Sequence, residues 1–171
     1  SHMGDKSAQY LRKMGGLILV ASLFVWFLSY FPRPVAGEPE IEHYENSYLG
    51  QLGRWCEPAV EPLGLNWKAG VAILSGVSAK EIVVSTLGVL YSQDATADDA
   101  SLAQTLRESG DFTPASALAF LVFVLLYFPC IATIVAVRNE AGRGWALASM
   151  VYSTAVAWFV AWIVYHIALL L

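Results

Sequence analysis

A proline, a cysteine and a threonine lie together in the middle of a long uncharged stretch. Pro129 and Cys130 are adjacent, and Thr133 follows three residues later, within FTPASALAFLVFVLLYFPCIATIVAV (residues 112–137). Proline removes a backbone donor and clashes with the carbonyl group one turn earlier, so it breaks a helix. In hydrocarbon, the freed carbonyl groups need a protein partner or a water-filled cavity. The stretch therefore predicts a helix break beside a thiol, which is a soft ligand suited to borderline and late metals.

A charged pair in a second apolar segment is the other candidate for chemistry. Lys80 and Glu81 lie within WKAGVAILSGVSAKEIVVSTLGVLY (residues 67–91), just beyond Ser75 and Gly76, which loosen its centre. An ionisable side chain at membrane depth is expensive and is by default a functional candidate. We expect Lys80 either to neutralise Glu81 there or to anchor the segment by extending to the membrane interface. The alternative is an interfacial pair that only ends a turn.

The other thiol and the histidines are weaker candidates. Cysteine is often buried as a small apolar residue, so packing alone also accounts for Cys130. Cys56 lies in a polar setting and is predicted to be incidental. His43 is predicted to belong to a solvated acidic loop, and the alternative is that it collects cations with Glu42 and Glu45 on the outer face. His166 is predicted to be packed or interfacial rather than a metal ligand. The two cysteines have no zinc-type spacing, and we expect no disulfide between them.

These residues need elements that hold them at membrane depth, and the composition provides such elements. Hydrophobic residues make up 57% of the chain, charged residues 14%, and the mean hydropathy is +0.54. Soluble domains average about 25% charged residues. Three uncharged or nearly uncharged runs, residues 14–31, 112–137 and 145–171, are long enough to cross a hydrocarbon core of about 30 Å. The alternative is a soluble bundle with unusually apolar helices.

The segment at residues 67–91 either crosses once or turns back at Ser75 and Gly76 as a re-entrant hairpin. Basic residues concentrate in the cytoplasmic loops of membrane proteins. The hairpin puts all the short basic loops on one side and both acidic connections, residues 38–61 and 94–111, on the other, so it is favoured. The basic residues on the shared side are Lys6, Arg12, Lys13, Arg138 and Arg143.

The predicted fold is therefore an all-α integral membrane protein with three spanning helices, a broken or re-entrant hairpin segment and an interfacial amphipathic helix. Residues 32–66 and 92–112 are the predicted extramembrane connections. The amphipathic helix is indicated by the spacing of Leu49, Leu52 and Trp55, and Pro58 is expected to end it. A short surface helix is predicted over residues 98–109. Thr113 is predicted to cap the next helix, with Pro114 at its first position.

The start of the chain indicates a designed boundary. Residues 1–3 resemble the remnant of an expression tag, and we expect residues 4–171 to be one membrane region cut from a larger protein. The sequence shows no internal repeat, phosphate-binding loop or basic patch, so neither nucleotide nor nucleic acid is an expected ligand. The sequence also shows no catalytic constellation, and the chain is not expected to be an enzyme.

Two sequence blocks together resemble a known family. LSGVSAKEIVVSTLGVLY, followed after a short insert by FTPASALAFLVFVLLYFPCIAT, is similar to the ferrous iron transport protein B (FeoB) family. The similarity extends upstream to YLRKMGGLILVASLFVWFLSYFP and SYLGQLGRWCEPAVEPLGLNWKAG, so it covers nearly the whole chain after the tag. It implies the C-terminal part of the membrane domain, with the second of two Gate motifs, in a GTP-dependent importer of Fe(II).

The resemblance also implies where and with what the chain works. The expected location is the bacterial cytoplasmic (inner) membrane, as a multi-pass protein in the lipid bilayer. The expected partners are the N-terminal GTPase domain and the first Gate half of the parent protein, small Feo accessory proteins and further copies of the chain. Fe(II) is the implied substrate, GTP and Mg belong to the parent protein only, and the chain itself is expected to hold no cofactor.

By the same resemblance, the Pro129–Cys130 step and Ala79–Lys80–Glu81 are the membrane motif positions. Cys130, with Glu81, is the candidate metal site of the transport path. The residues expected to line the path or to form the helix breaks are Pro129, Thr133, Tyr127, Ser75, Gly76 and Lys80.

Two other functional classes remain open. Gate-type folds resemble nucleoside carriers, so the cargo is alternatively a nucleoside or another divalent metal. The other class is a membrane module that transports nothing and docks partner helices. Small residues permit close helix approach, and the face with Ala115, Ala117 and Ala119 would suffice for docking.

Overall fold

The described part of the chain is helical throughout. The computed structural model describes residues 15–16, 19–33, 40–91, 99–128 and 130–170, and no strand occurs within those ranges. The all-α prediction is therefore confirmed for this part of the chain. The helices are α1 (Leu19–Tyr30), α2 (Glu40–Asn46), α3 (Tyr48–Val60), a 3₁₀ turn (Glu61–Leu63), α4 (Trp67–Ser75), α5 (Ile82–Tyr91), α6 (Asp99–Glu108), α7 (Pro114–Leu126), α8 (Ile131–Ala141) and α9 (Arg143–Leu170).

Helices α4 and α5 form an antiparallel hairpin whose tip is residues 76–81. Asn66 caps α4 by accepting a hydrogen bond from the amide of Ala69. Its side-chain amide donates to the hydroxyl group of Tyr91 at the end of α5, over 3.2 Å. The start of α4 and the end of α5 are therefore adjacent, and the chain reverses after Ser75 as the sequence predicted. Each helix is only about 15 Å long at about 1.5 Å per residue.

The open end of this hairpin is held by a polar cluster that also reaches the start of α7. The hydroxyl group of Tyr91 donates to the carboxylate of Asp111 over 2.9 Å. The ammonium group of Lys68 lies 3.5 Å from the same carboxylate and 4.5 Å from the Tyr91 ring centroid. Since Asp111 lies just before α7, the cluster places the start of α7 at the open end of the hairpin.

Helices α7 and α8 form one apolar segment that is interrupted in the middle. Thr113 and Ser116 form a capping box at the start of α7, with Pro114 at the first helical position, so this prediction is confirmed. Helix α7 ends at Leu126, where Tyr127 adopts an extended conformation with ψ 167°. Helix α8 begins after Cys130. The predicted break is therefore present, although Pro129 itself lies outside the described residues.

Helix α9 runs unbroken for 28 residues and packs along both α7 and α8. Ala157 and Ala161 are completely buried in this packing. The indole N–H group of Trp158 donates to the carbonyl oxygen of Ala59 over 2.7 Å, which ties α9 to the end of α3. Small residues on α9 thus allow close helix contact, as in membrane bundles.

Two segments of the described chain are long and apolar enough to cross a membrane, Pro114–Ala141 and Arg143–Leu170. Helix α1 and helix α5 are apolar but shorter. The first predicted span, residues 14–31, is only partly described, so the arrangement of three spans stays a prediction. Large apolar side chains are exposed on α1, α7 and α9, and exposed apolar surface of this kind contacts lipid or partner helices.

The amphipathic helix differs from its prediction at both its end and its face. Helix α3 continues through Pro58 to Val60, so Pro58 does not end it. Pro58 and the residue one turn earlier are both exposed, so water can satisfy the carbonyl group that loses its amide partner. Of the predicted apolar face, Leu49 is buried, whereas the Trp55 side chain is 80% exposed.

Helix α3 instead packs against α4 through glycine. A Cβ atom on Gly70 would lie 3.2 Å from the carbonyl oxygen of Gly53, and a Cβ atom on Gly53 would lie 2.9 Å from the carbonyl oxygen of Trp67. The two helices therefore cross at backbone-to-backbone distance, which only glycine permits there.

The remaining fold predictions have mixed outcomes. The surface helix predicted over residues 98–109 is confirmed as α6. Of the alanine face suggested for docking partner helices, Ala115 and Ala119 are buried within the chain's own core, whereas Ala117 is half-buried. Two of the three alanines are therefore used for internal packing.

Candidate functional site

The tip of the α4–α5 hairpin lies against the break between α7 and α8. The amide of Ile131, the first residue of α8, donates to the carbonyl oxygen of Val77 in the hairpin tip over 3.1 Å. Both elements expose backbone groups at this point because neither is helical there. Each break therefore supplies a partner for the other.

Lys80 closes the carbonyl end of α7. Its ammonium group donates to the carbonyl oxygens of Val124 at 3.0 Å, Leu125 at 3.1 Å and Tyr127 at 3.4 Å. It also lies 4.7 Å from the centroid of the Tyr127 ring, in a cation–π contact. The last carbonyl groups of a helix have no intrahelical partner and carry partial negative charge. An ammonium group has three N–H donors, so this contact uses all of them.

The expected pairing of Lys80 with Glu81 is therefore wrong. The structure records no ion pair between the two side chains within 4 Å in the part of the chain that it describes. The ammonium group of Lys80 is engaged by carbonyl groups, whereas the Glu81 side chain is exposed. The carboxylate of Glu81 thus remains available to solvent, to a cation or to a neighbouring chain.

Gly76 and Tyr127 are in very close contact at the same crossing. A Cβ atom on Gly76 would lie 2.6 Å from the Tyr127 hydroxyl oxygen and would also clash with the Val83 side chain. The Tyr127 side chain is 2% exposed and stacks on Phe123, with ring centroids 5.7 Å apart. Its hydroxyl group has no hydrogen-bond partner among the described residues. Glycine is required at position 76 to admit this ring.

Cys130 lies at the first residue before α8. Its carbonyl oxygen accepts hydrogen bonds from the amides of Thr133 at 2.9 Å and Ile134 at 3.3 Å. Its thiol is free and partly exposed, and the sulfur lies 3.7 Å from the Thr133 hydroxyl oxygen. The structure thus brings Cys130 and Thr133 together on the first turn of α8, beside the Lys80 contact.

No complete metal site is formed by side chains within the described ranges, where no group of three His, Cys, Asp or Glu residues has suitable geometry. Cys130 offers one soft sulfur and Thr133 one hydroxyl oxygen. A cation at this point would complete its coordination with water or with ligands from another chain.

Ser75 lies at the start of the hairpin tip and is buried together with Ser78, which the sequence analysis did not single out. The hydroxyl group of Ser75 donates to the carbonyl oxygen of Val71, and that of Ser78 to the carbonyl oxygen of Ser75, both over 2.9 Å. The only sequence signal for these two buried serines was a serine next to a glycine in an apolar segment.

The weaker candidates lie apart from these contacts. His166 Nδ1 lies 2.9 Å from the carbonyl oxygen of Trp162, and the two rings are 4.4 Å apart, so His166 is packed as predicted. The loop predicted around His43 is wrong, because His43 lies half-buried in helix α2, with its ring edge-on to Tyr30 and the centroids 6.5 Å apart. Cys56 lies on α3, where partial burial raises the pKa of its thiol.

Comparison with known proteins gives a family and several relatives. The sequence profile of the Gate family, described as nucleoside recognition, matches residues 11–144. No solved structure matches the chain.

Three relatives are similar over nearly all of this chain. The Fe(2+) transport protein A/Fe(2+) transporter FeoB fusion protein of Porphyromonas gingivalis is 41% identical over 99% of this chain and 25% of the relative. The Fe(2+) transporter FeoB of Campylobacter jejuni is 37% identical over 98% of this chain and 28% of the relative. The Fe(2+) transporter FeoB of Methanocaldococcus jannaschii is 36% identical over 94% of this chain and 24% of the relative. The chain thus spans about a quarter of the length of the relatives it matches.

Proposed function

This chain belongs to the Gate family, and on that premise we propose that it is one membrane half of a GTP-dependent ferrous iron importer. The observation that carries the proposal is the crossing of the two helix breaks, with Cys130 at the start of α8. Discontinuous helices whose breaks meet form the substrate sites of many transporters. The names of the similar proteins supply the cargo, Fe(II).

Fe(II) is borderline in softness, so thiolate sulfur and oxygen both suit it. Cys130 offers one sulfur and Thr133 one oxygen, which lets the ion bind in passing without being trapped. Glu81 supplies a negative charge that offsets the cost of removing water from a divalent cation. Lys80 holds the carbonyl groups of α7, so the cation meets the sulfur side of the crossing rather than these carbonyl groups.

The proposed arrangement in the bacterial inner membrane has three spans and a re-entrant hairpin. Helices α4 and α5 enter from one side and end at the hairpin tip, because about 15 Å reaches only the middle of a core of about 30 Å. The interrupted segment Pro114–Ala141 and the continuous α9 cross completely. The residue ranges proposed to lie outside the membrane are 32–66 and 92–112.

Half of a transporter supplies one wall of its path, so the proposed function needs partners. We assign the opposite wall to the first Gate half of the parent protein, and GTP hydrolysis with Mg to its GTPase domain, leaving no catalysis to this chain. One similar protein is named as a fusion of transport protein A with FeoB, so a small accessory protein of that type is a proposed partner. Association of several copies is part of the same proposal.

Replacement of the thiol in the full-length transporter tests the proposal. Cys130→Ser should reduce Fe(II) uptake at least tenfold while GTP hydrolysis and membrane insertion stay near normal. Cys56→Ser is the matched control and should leave uptake unchanged. Wild-type uptake by Cys130→Ser would contradict a transport role for the sulfur and leave it a packing residue.

A second cargo is favoured by the description of the matched profile, nucleoside recognition. A nucleoside would be bound through hydroxyl groups at the crossing, such as that of Thr133. Uptake of radiolabelled nucleoside that excess Fe(II) does not reduce, and that survives Cys130→Ser, would favour this cargo over iron. Uptake of other divalent metals in the same assay separates iron from a broader metal cargo.

A further inference from the structure

A cleft of about 370 Å³ lies between the end of α8 and the start of α9. A single residue, Gly142, joins the two helices and adopts a positive φ of 95°, a conformation that favours glycine. Helix α9 then packs back along α8, so side chains from both helices line one space. The described residues that line the cleft are Ile134, Arg138, Arg143, Ala146, Leu147 and Met150.

The charged residues of the cleft are both arginines, and they lie at the end nearest Gly142. Arg138 is in the last turn of α8, and Arg143 is the first residue of α9. Both are exposed, and neither has a carboxylate within 4 Å in the part of the chain that the structure describes. The first turn of α9 adds backbone amides without an intrahelical acceptor, and these carry partial positive charge. This end of the cleft therefore favours an anion.

The rest of the cleft is apolar. Ile134 lies one turn before Arg138 on α8, and Leu147 and Met150 lie one and two turns after Arg143 on α9. Spacings of four and seven residues place these side chains on the same helix faces as the arginines. On α9 the apolar wall extends about 10 Å from Arg143, at about 1.5 Å per residue. An anion that carries an apolar chain fits this surface, whereas a free inorganic anion would use only one end of it.

The cleft also lies at the depth of lipid headgroups in the proposed arrangement. The segments Pro114–Ala141 and Arg143–Leu170 both cross the membrane there, so their junction is at a membrane surface. Trp145 lies beside this junction with 71% of its surface exposed, and exposed tryptophan at the end of a span is typical of the headgroup region. Basic pockets between spanning helices bind anionic headgroups, and a guanidinium group binds phosphate through two parallel hydrogen bonds.

From these observations we propose that the cleft between α8 and α9 binds an anionic phospholipid. Arg138 and Arg143 bind its phosphate group, and the first part of its acyl chains lies along the apolar wall. A lipid with net negative charge is favoured over a zwitterionic one, because no carboxylate among the described lining residues could pair with a choline or ethanolamine group. The inference rests on the membrane arrangement of the proposed function and is independent of the cargo.

Displacement of a fluorescent lipid from the full-length transporter tests the site. Nitrobenzoxadiazole-labelled phosphatidylglycerol is bound to the purified protein in detergent, and unlabelled competitors are then added. Phosphatidylglycerol should displace the probe at a concentration at least tenfold lower than phosphatidylcholine does. Inorganic phosphate should not displace it, because phosphate alone makes no contact with the apolar wall.

Three variants locate the binding. Arg138→Gln/Arg143→Gln removes both charges and should weaken probe binding at least tenfold. Arg54→Gln/Arg107→Gln is the matched control, since it removes two exposed arginines outside the cleft and changes the net charge equally, so binding should not change. Leu147→Ser shortens the apolar wall at a side chain that is 60% exposed and should weaken binding at least threefold. It carries the test if the arginine variant fails to fold.

Equal displacement by the two lipids, or unchanged probe binding in the arginine variant, overturns the lipid site. Displacement by inorganic phosphate, with no effect of Leu147→Ser, shows a site for a free anion and also overturns it. Lower Fe(II) uptake by the arginine variant with unchanged lipid binding assigns the two arginines to a protein contact instead. The proposed function is tested separately, by the effect of Cys130→Ser on Fe(II) uptake, and this variant should bind the probe as the wild type does.

Discussion

The ammonium group of Lys80 lies 3.0 Å from the carbonyl oxygen of Val124, although 44 residues separate them in the sequence. This contact joins the tip of a helical hairpin to the end of an interrupted helix. It satisfies backbone groups that hydrocarbon would leave unpaired. Lys80 therefore stabilises the crossing together with the bond from the Ile131 amide to the Val77 carbonyl oxygen.

Loss of that side chain should destabilise the protein measurably. Lys80→Met keeps the apolar stem but removes the three hydrogen bonds that the ammonium group donates. A hydrogen bond that involves a charged group contributes about 1.5–3 kcal/mol. We expect the free energy of unfolding to fall by at least about 2 kcal/mol. Denaturant titration of the protein in detergent measures this change.

Arg54→Met is the matched control for Lys80→Met. Arg54 pairs with Glu45 at 3.1 Å, but both side chains are substantially exposed, and such pairs contribute about 0.2–1 kcal/mol. Equal losses from the two substitutions would contradict the structural role of Lys80.

Gly76→Ala should be strongly unfavourable, because the new methyl group would meet the Tyr127 hydroxyl group and the Val83 side chain. Overpacking of this kind costs about 1–3 kcal/mol. Gly88→Ala on α5 is the control, since a Cβ atom there meets nothing within 4 Å. It should stabilise the helix by about 0.5–1 kcal/mol. Thermal unfolding of the two variants in the same detergent should therefore shift in opposite directions.

Loss of the hydroxyl group should change stability in different ways at two tyrosines. Tyr127→Phe removes a buried hydroxyl group that has no partner among the described residues, so it should be neutral or stabilising. Tyr91→Phe breaks bonds to Asn66 and Asp111 and should cost about 1–3 kcal/mol. A large loss of stability from Tyr127→Phe would show that its hydroxyl group is bonded.

The backbone interruptions were predictable from local chemistry, whereas the contacts between them were not. Thr113 before Pro114 has a local capping signature, and the break after Leu126 follows from Pro129, three residues later in the sequence. These features depend on residues within one turn of each other.

The partner of Lys80 depends on contacts that the sequence does not display. Its acceptors are main-chain carbonyl groups, and every residue has one, so no residue type marks them. The adjacent Glu81 was the only charge that the sequence offered. The same limit applies to the cavity lined by Ser22 and Ser29 on α1 and by Ser75 and Ser78 on the hairpin, because these serines are distant in the chain.

Labelling from the two sides of the membrane tests the topology. Ser109 precedes α7 and Gly144 lies at the start of α9, and both are exposed. About 42 Å of interrupted helix separates them at about 1.5 Å per residue. Ser109→Cys and Gly144→Cys, each made without the two native thiols, should react with an impermeant maleimide from opposite sides. Reaction of both from the same side would rule out a complete crossing by this segment.

The thiol of Cys56 should titrate at high pH, because burial raises its pKa. The folded protein therefore holds the thiol proton more tightly than the unfolded chain does. This contribution to stability is complete below the ordinary thiol pKa and is lost as pH rises through the raised value.

Alkylation rates measure this shift in the Cys130→Ser background. The rate constant for Cys56 should still be rising at a pH where that of the denatured chain has reached its plateau. The same pH profile in both states would contradict a buried thiol on α3.

Helix α9 is continuous where its neighbours are interrupted, and the two neighbours are packed very unequally. Helix α8 has no buried residue, whereas α7 buries five of its own. In mechanical terms, α7 is fixed rigidly against α9, whereas α8 is joined to α7 through the break. Tilting α8 needs little repacking. The hinge between α7 and α8 lies at Cys130 and at the carbonyl groups that Lys80 binds. A signal that moves the far end of α8, at Ala141, would therefore act first on the residues at the hinge.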